Sequence, residues 1–107
     1  MTRIFQRDKL SPMKYVYPAV FSQENTSVGV IFPDLPGCVS QGDDYQKAFD
    51  YAREGLSLHI FGILEDGEKL PAPLRLEKVK LENNEALALI EVDLEGFKPD
   101  WNRTEKT

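Results

Sequence analysis

Cys38 and His59 are the chain's single cysteine and single histidine, so any nucleophilic triad or transition-metal site must be built on them. Cys38 lies in the stretch IFPDLPGCVSQGDD, residues 31–44, where Asp34 or Asp43 could serve as a helper carboxylate. A thiol nucleophile needs an imidazole within hydrogen-bond reach. Cys38 begins a short extended run, whereas His59 falls at 52, 56, 59, 63 spacing, about four turns along a helical pattern. Both read as packing residues, Cys38 as a small apolar one. A zinc site needs about four N, S or carboxylate ligands at recognisable spacing, and this chain offers no such pattern. Gly29, Gly37 and Gly42 fit neither phosphate-loop nor dinucleotide spacing. Catalytic residues, a metal and a cofactor are all expected to be absent.

Charge says more than chemistry does. The formal net charge is −5. Residues 1–14 hold Arg3, Arg7, Lys9 and Lys14 against Asp8, a net of +3, which leaves −8 for the rest. A body of that sign repels nucleic acid, whose affinity for proteins comes mostly from phosphate neutralisation. It attracts and steers basic partners instead. With 107 residues, 41% of them apolar, one domain with a modest core is expected. No run of about 18 apolar residues spans a membrane. The opening MTRIFQRDKLSPM lacks a signal peptide's apolar centre. A lone cysteine also suits a reducing compartment, so the expected location is cytoplasmic.

The elements that would position these residues follow from periodicity. KYVYPAVF (14–21) and SVGVIF (27–32) alternate as strands around the turn residues SQENT. Pro18 implies a side without pairing or a bulge. PDLPG (33–37) leaves the sheet, and CVSQ (38–41) fits a third short strand. Asp43 with Gln46 forms a capping-box pattern, and Asp44 is an equally good N-cap. Tyr45, Ala48, Phe49, Ala52, Leu56, Ile60 and Ile63 then trace one face of a helix over 45–64. Gly67 suits a left-handed end to it, and LPAP (70–73) suits a stiff connector. Residues 75–85 have room for a short strand. ALALIEVDL (86–94) is apolar at both parities, the pattern of a central or doubly buried strand. The fold class is α+β, β-β-β-α-β, a small mixed sheet with one long helix on one face. A right-handed crossover would lay the last strand parallel to the first. Residues 1–12 read as a disordered lead-in, 13–94 as the domain, and 95–107 as a polar tail anchored by Trp101.

That order is similar to the first part of the ribonuclease H fold, whose enzymes hold two metal ions among acidic residues. Asp50 or Glu54 on the helix and Glu91 or Asp93 on the last strand could supply ligands. The first strand, residues 14–21, carries no Asp or Glu. A metal-dependent nuclease is therefore the enzymatic alternative, with its central ligand missing.

YPAVF (17–21), VGVIFPDLPGCVSQGDDYQKAFDYAREGLSLHIFGILEDGEKLPAP (28–73) and IEVDL (90–94) closely resemble HicB-type antitoxins of bacterial type II toxin–antitoxin modules. FPDLPGC, then QGD, a helix, and EDG with the following prolines form the specific part. The resemblance implies a partial ribonuclease H-like fold without ribonuclease activity. It also implies a partner, a basic HicA-like toxin that cleaves mRNA and that the antitoxin occludes. Many members carry a C-terminal operator-binding segment of patterned strand or helix. Residues 95–107 show no such pattern, so direct nucleic-acid binding is not expected of this chain, and an operator-binding regulator is the alternative if a longer C-terminus exists.

Two surfaces are expected to matter. Phe32, Pro33, Asp34, Leu35, Pro36 and Gly37 form a stiff loop suited to a toxin-facing rim. Tyr51, Gly55, Leu58 and Phe61 lie partly off the main helical stripe and suit self-association as a homodimer or larger homo-oligomer.

Overall fold

The computed structural model of the protein describes residues 13–97. The lead-in expected over 1–12, and Trp101 with most of the polar tail, lie outside the described residues. Three strands, β1 (Lys14–Gln23), β2 (Val28–Ile31) and β3 (Val39–Gly42), precede a helix, α1 (Tyr45–Glu65). A single 3-10 turn (Leu76–Lys78) and the last strand, β4 (Glu85–Asp93), follow. The sheet order is β3-β2-β1-β4.

Alternation sorts the sheet into two faces. Tyr17, Ala19 and Phe21 of β1 are buried with Val28 and Val30 of β2, Phe32 beyond it, and Ile90 and Val92 of β4. This face receives Ala48, Ala52, Leu56 and Ile60 of α1, each wholly buried. Gly42 of β3 meets the first turn of α1 so closely that a Cβ there would strike the backbone of Lys47 and Ala48. The rings of Phe21, Tyr45 and Phe49 cluster at the same end, with the Phe21 and Tyr45 centroids 4.9 Å apart.

The helix ends follow their local chemistry. Asp44 is the N-cap, its Oδ1 accepting the Lys47 N–H at 2.8 Å. Gln46 does not complete a capping box and donates to Asp50 instead. At the other end Gly67 takes φ +73. Its N–H donates to the Leu64 carbonyl, and that of Glu68 donates to Ile63, which together make a Schellman motif.

Pro18 sits where β1 needs no second partner. β2 pairs only with residues 20–23 of β1. The alternation set by Gln23 N–H donating to Asn84 directs even-numbered β1 amides toward the β2 side. The missing donor of Pro18 therefore faces a side where β2 has already ended.

Three expectations are corrected. The sheet is antiparallel throughout rather than mixed, and β4 runs antiparallel to β1. The crossover rule governs chains that return to the starting end of the sheet. Here residues 66–84 run on to the opposite end before β4 begins. That connector contains the 3-10 turn and no strand. Finally, β4 is an edge strand rather than a central one, with Leu89 53% exposed.

Core and cap contributions are measurable by urea denaturation. Leu56→Ala is expected to cost about 2–5 kcal/mol, Gly42→Ala about 1–3 kcal/mol through overpacking, and Asp44→Ala about 1 kcal/mol.

Candidate functional site

Residues 32–38 form two consecutive turns. The Leu35 N–H donates to the Phe32 carbonyl at 3.0 Å, and the Cys38 N–H donates to the Leu35 carbonyl at 2.9 Å. A proline occupies the second position of each turn, where its fixed φ is already correct. Gly37 takes φ +89, the left-handed geometry that the third position of a type II turn requires. The Phe32 N–H closes the loop on the Cys38 carbonyl at 3.2 Å.

Of the six residues expected to form a rim, Phe32 and Leu35 are turned inward, each only 1% exposed. They anchor the loop in the core. Pro33, Pro36 and Gly37 are exposed and Asp34 is half-buried, so the outward surface is narrower than the sequence stretch.

Asp34 is the unusual member. Its Oδ2 is buried and accepts no hydrogen bond among the described residues. Leaving such a group without a donor costs about 1–3 kcal/mol. Its charge also reaches Tyr17. Burial, first, then Asp34, then Tyr15 raise the Tyr17 hydroxyl above its ordinary pKa of 10.0. That hydroxyl donates to the Pro71 carbonyl at 2.5 Å. The two-turn loop and the 70–73 connector therefore meet around the end of the Tyr17 side chain.

The chemistry weighed on Cys38 and His59 does not assemble. Cys38 is buried, and burial pushes its thiol up to about 11, so it is protonated at neutral pH and no nucleophile. His59 is half-buried on α1, and no hydrogen bond links it to Cys38 among the described residues. Asp50, Glu54, Glu91 and Asp93 are all exposed. Among the described residues, no three of His, Cys, Asp or Glu are gathered so as to hold one ion.

The self-association stripe is divided. Tyr51 is 52% exposed, and Gly55 has open space where a side chain would stand. Phe61 instead packs edge-on against Phe97, centroids 5.7 Å apart. The sequence reading missed two features, the Asp34 oxygen without a donor and the open β4 edge. The apolar residues at both parities of β4 were the available signal for the second.

Cys38 supplies a pH test. Its folded thiol titrates near 11 against 9.0 ordinarily, so the unfolded chain loses this proton first. Stability is intact below about 9, falls as pH rises, and levels off above about 11. Cys38→Ala should remove this component of the alkaline loss, read as the denaturation midpoint against pH.

A family model described as HicB-like antitoxin of bacterial toxin–antitoxin systems matches residues 17–107. An uncharacterised 14.9 kDa protein of Haemophilus phage HP1 is 41% identical over 59% of this chain and 47% of its own length. Antitoxin HicB 2 of Photorhabdus laumondii is 32% identical over 53% of this chain and 41% of its own. The chain thus matches less than half the length of these curated relatives. In a toxin–antitoxin complex from Streptococcus pneumoniae, one chain superposes with a TM-score of 0.73 at 21% identity, over 83% of this chain and 76% of that one. Among the described residues, no helix is long and apolar enough to cross a membrane. A helix-backed antiparallel sheet with this double-turn loop, matched by the family model over most of its length, belongs to the HicB-like antitoxins, a family of antitoxins and not of enzymes.

Proposed function

We propose that this chain neutralises a small, basic, HicA-like mRNA-cleaving toxin by binding it and covering its active surface. Family membership carries the reading, and the charge of −8 outside residues 1–14 supports it. Acidic side chains can take the place that RNA phosphates would occupy on a basic ribonuclease, and opposite fields speed the encounter. The chain needs no catalytic group of its own for this.

The exposed part of the double-turn loop, Pro33, Asp34, Pro36 and Gly37, is the toxin-facing rim in this reading. Two turns with prolines preset little motion to be lost on binding. Asp34 is half-buried at this rim and adds negative charge there. An arginine or lysine of the toxin would pair with it, and such a charge-assisted bond contributes about 1.5–3 kcal/mol.

In this reading the neighbouring gene encodes a small basic protein; its presence is the first check, and the two purified proteins are the second. Mixing the two is expected to give a complex that weakens as salt rises and that stops RNA cleavage by the toxin. Absence of a complex at low salt would overturn the reading. Asp34→Asn should leave the free chain as stable or slightly more so, and weaken the complex about tenfold or more, measured by calorimetry. Unchanged affinity would remove Asp34 from the rim.

A further inference from the structure

β4 is the outermost strand on its side of the sheet. Its pairing with β1 is unbroken from Lys14 opposite Asp93 to Ser22 opposite Glu85. The Leu94 N–H donates to the Met13 carbonyl at 3.0 Å, and the Gln23 N–H donates to the Asn84 carbonyl at 2.9 Å. Even-numbered β4 residues therefore direct their backbone groups at β1. Alternation then points those of Leu87, Leu89 and Glu91 outward, where the described residues provide no further strand.

Proteins protect exposed edges with prolines, bulges, short strands, charged side chains or a covering element, and of these β4 carries only charge, at Glu85, Glu91 and Asp93. β4 has no proline and no bulge, and it is nine residues long. The opposite edge, β3, is four residues long, and its last residue, Gly42, lies against the start of α1. Of the two edges among the described residues, β4 offers the longer one. Beside it is a groove of about 520 Å³ lined by Lys14, Phe49, Arg53, Leu89, Glu91 and Asp93. Its apolar residues are Phe49 and Leu89, and a Lys14–Glu91 ion pair of 3.3 Å lies in its wall. A strand on one side and a helix on the other is the arrangement by which extended segments are captured through main-chain bonds.

We propose that the outer edge of β4 is a strand-addition site that takes an extended, basic and apolar segment of the partner protein. The inference rests on the antitoxin reading for the nature of that partner. Charge selects the occupant. Self-pairing centred on Leu89 would set Asp93 opposite Glu85 twice, and centred on Ala88 it would set Glu85 opposite Glu91. Like charges directly opposite destabilise a strand pair, and two bodies of −8 repel. A basic segment meets these carboxylates favourably, while an apolar side chain beside Leu89 covers exposed surface.

The experiment uses the full chain and the small basic protein that the antitoxin reading expects beside its gene. Amide exchange at Leu87, Leu89 and Glu91 is expected to slow about tenfold or more in the complex. Leu89→Pro removes an outward donor and leaves the β1 pairing intact. It should weaken binding about tenfold or more, whereas Leu89→Thr, which keeps the donor, should change it less than about threefold. Circular dichroism and melting check that both variants fold, and the exchange readout needs no variant. A complex with unaltered exchange at these amides would overturn the edge site while leaving the antitoxin reading standing. Absence of any complex would overturn both. Slow exchange in the chain alone, growing with its concentration, would assign the edge to a second copy and overturn the choice of occupant.

Discussion

One helix can cover one face of a sheet, and the described residues contain one helix of any length. α1 lays Ala48, Ala52, Leu56 and Ile60 across the inner face, and small residues at two of these positions let the helix come close. Gly42 fixes how close, because its missing side chain leaves room for the first turn of α1. The remaining architecture follows from this economy. The second face keeps Val16, Ile31, Val39 and Leu89 in contact with water, between 39% and 63% exposed.

The double-turn loop shows the same division between anchoring and display. Phe32 and Leu35 stabilise the loop from inside, the prolines restrict it, and Asp34 holds a buried carboxylate oxygen that no donor among the described residues reaches. Such a group costs stability in the free chain.

Much of this was legible from residue order. The hairpin, the short third strand, the helix over 45–64, a cap at Asp43 or Asp44 and the Gly67 end all follow from period and capping chemistry, and the structure takes Asp44. The direction of β4 was not legible, because sequence periodicity says nothing about which end of the sheet a long connector reaches. Its edge position was misread for a physical reason. Residues 86–90 are apolar at both parities, which normally signals burial on two faces. Here Ile90 is buried against the helix side while Leu89 stays in solvent. In the loop, the prolines and glycine announced a turn, but only packing could show that Phe32 and Leu35 point inward. No local pattern could have revealed that Asp34 lacks a donor.

The pairing of β1 with β4 joins the two ends of the described chain, Lys14 with Asp93 and Ser22 with Glu85. During synthesis β1 can find β2 as soon as the hairpin has emerged, since those contacts are local. Its other neighbour arrives only after α1, the connector and β4 have been made. Until then the nascent sheet has an open flank along β1, where Tyr17 and Ala19 wait for Ile90 and Ala88. Contacts of such long sequence separation form late and slowly. A ribosome that stops before residue 85 therefore releases a product with its central strand half-clad, ready for proteases or for aggregation.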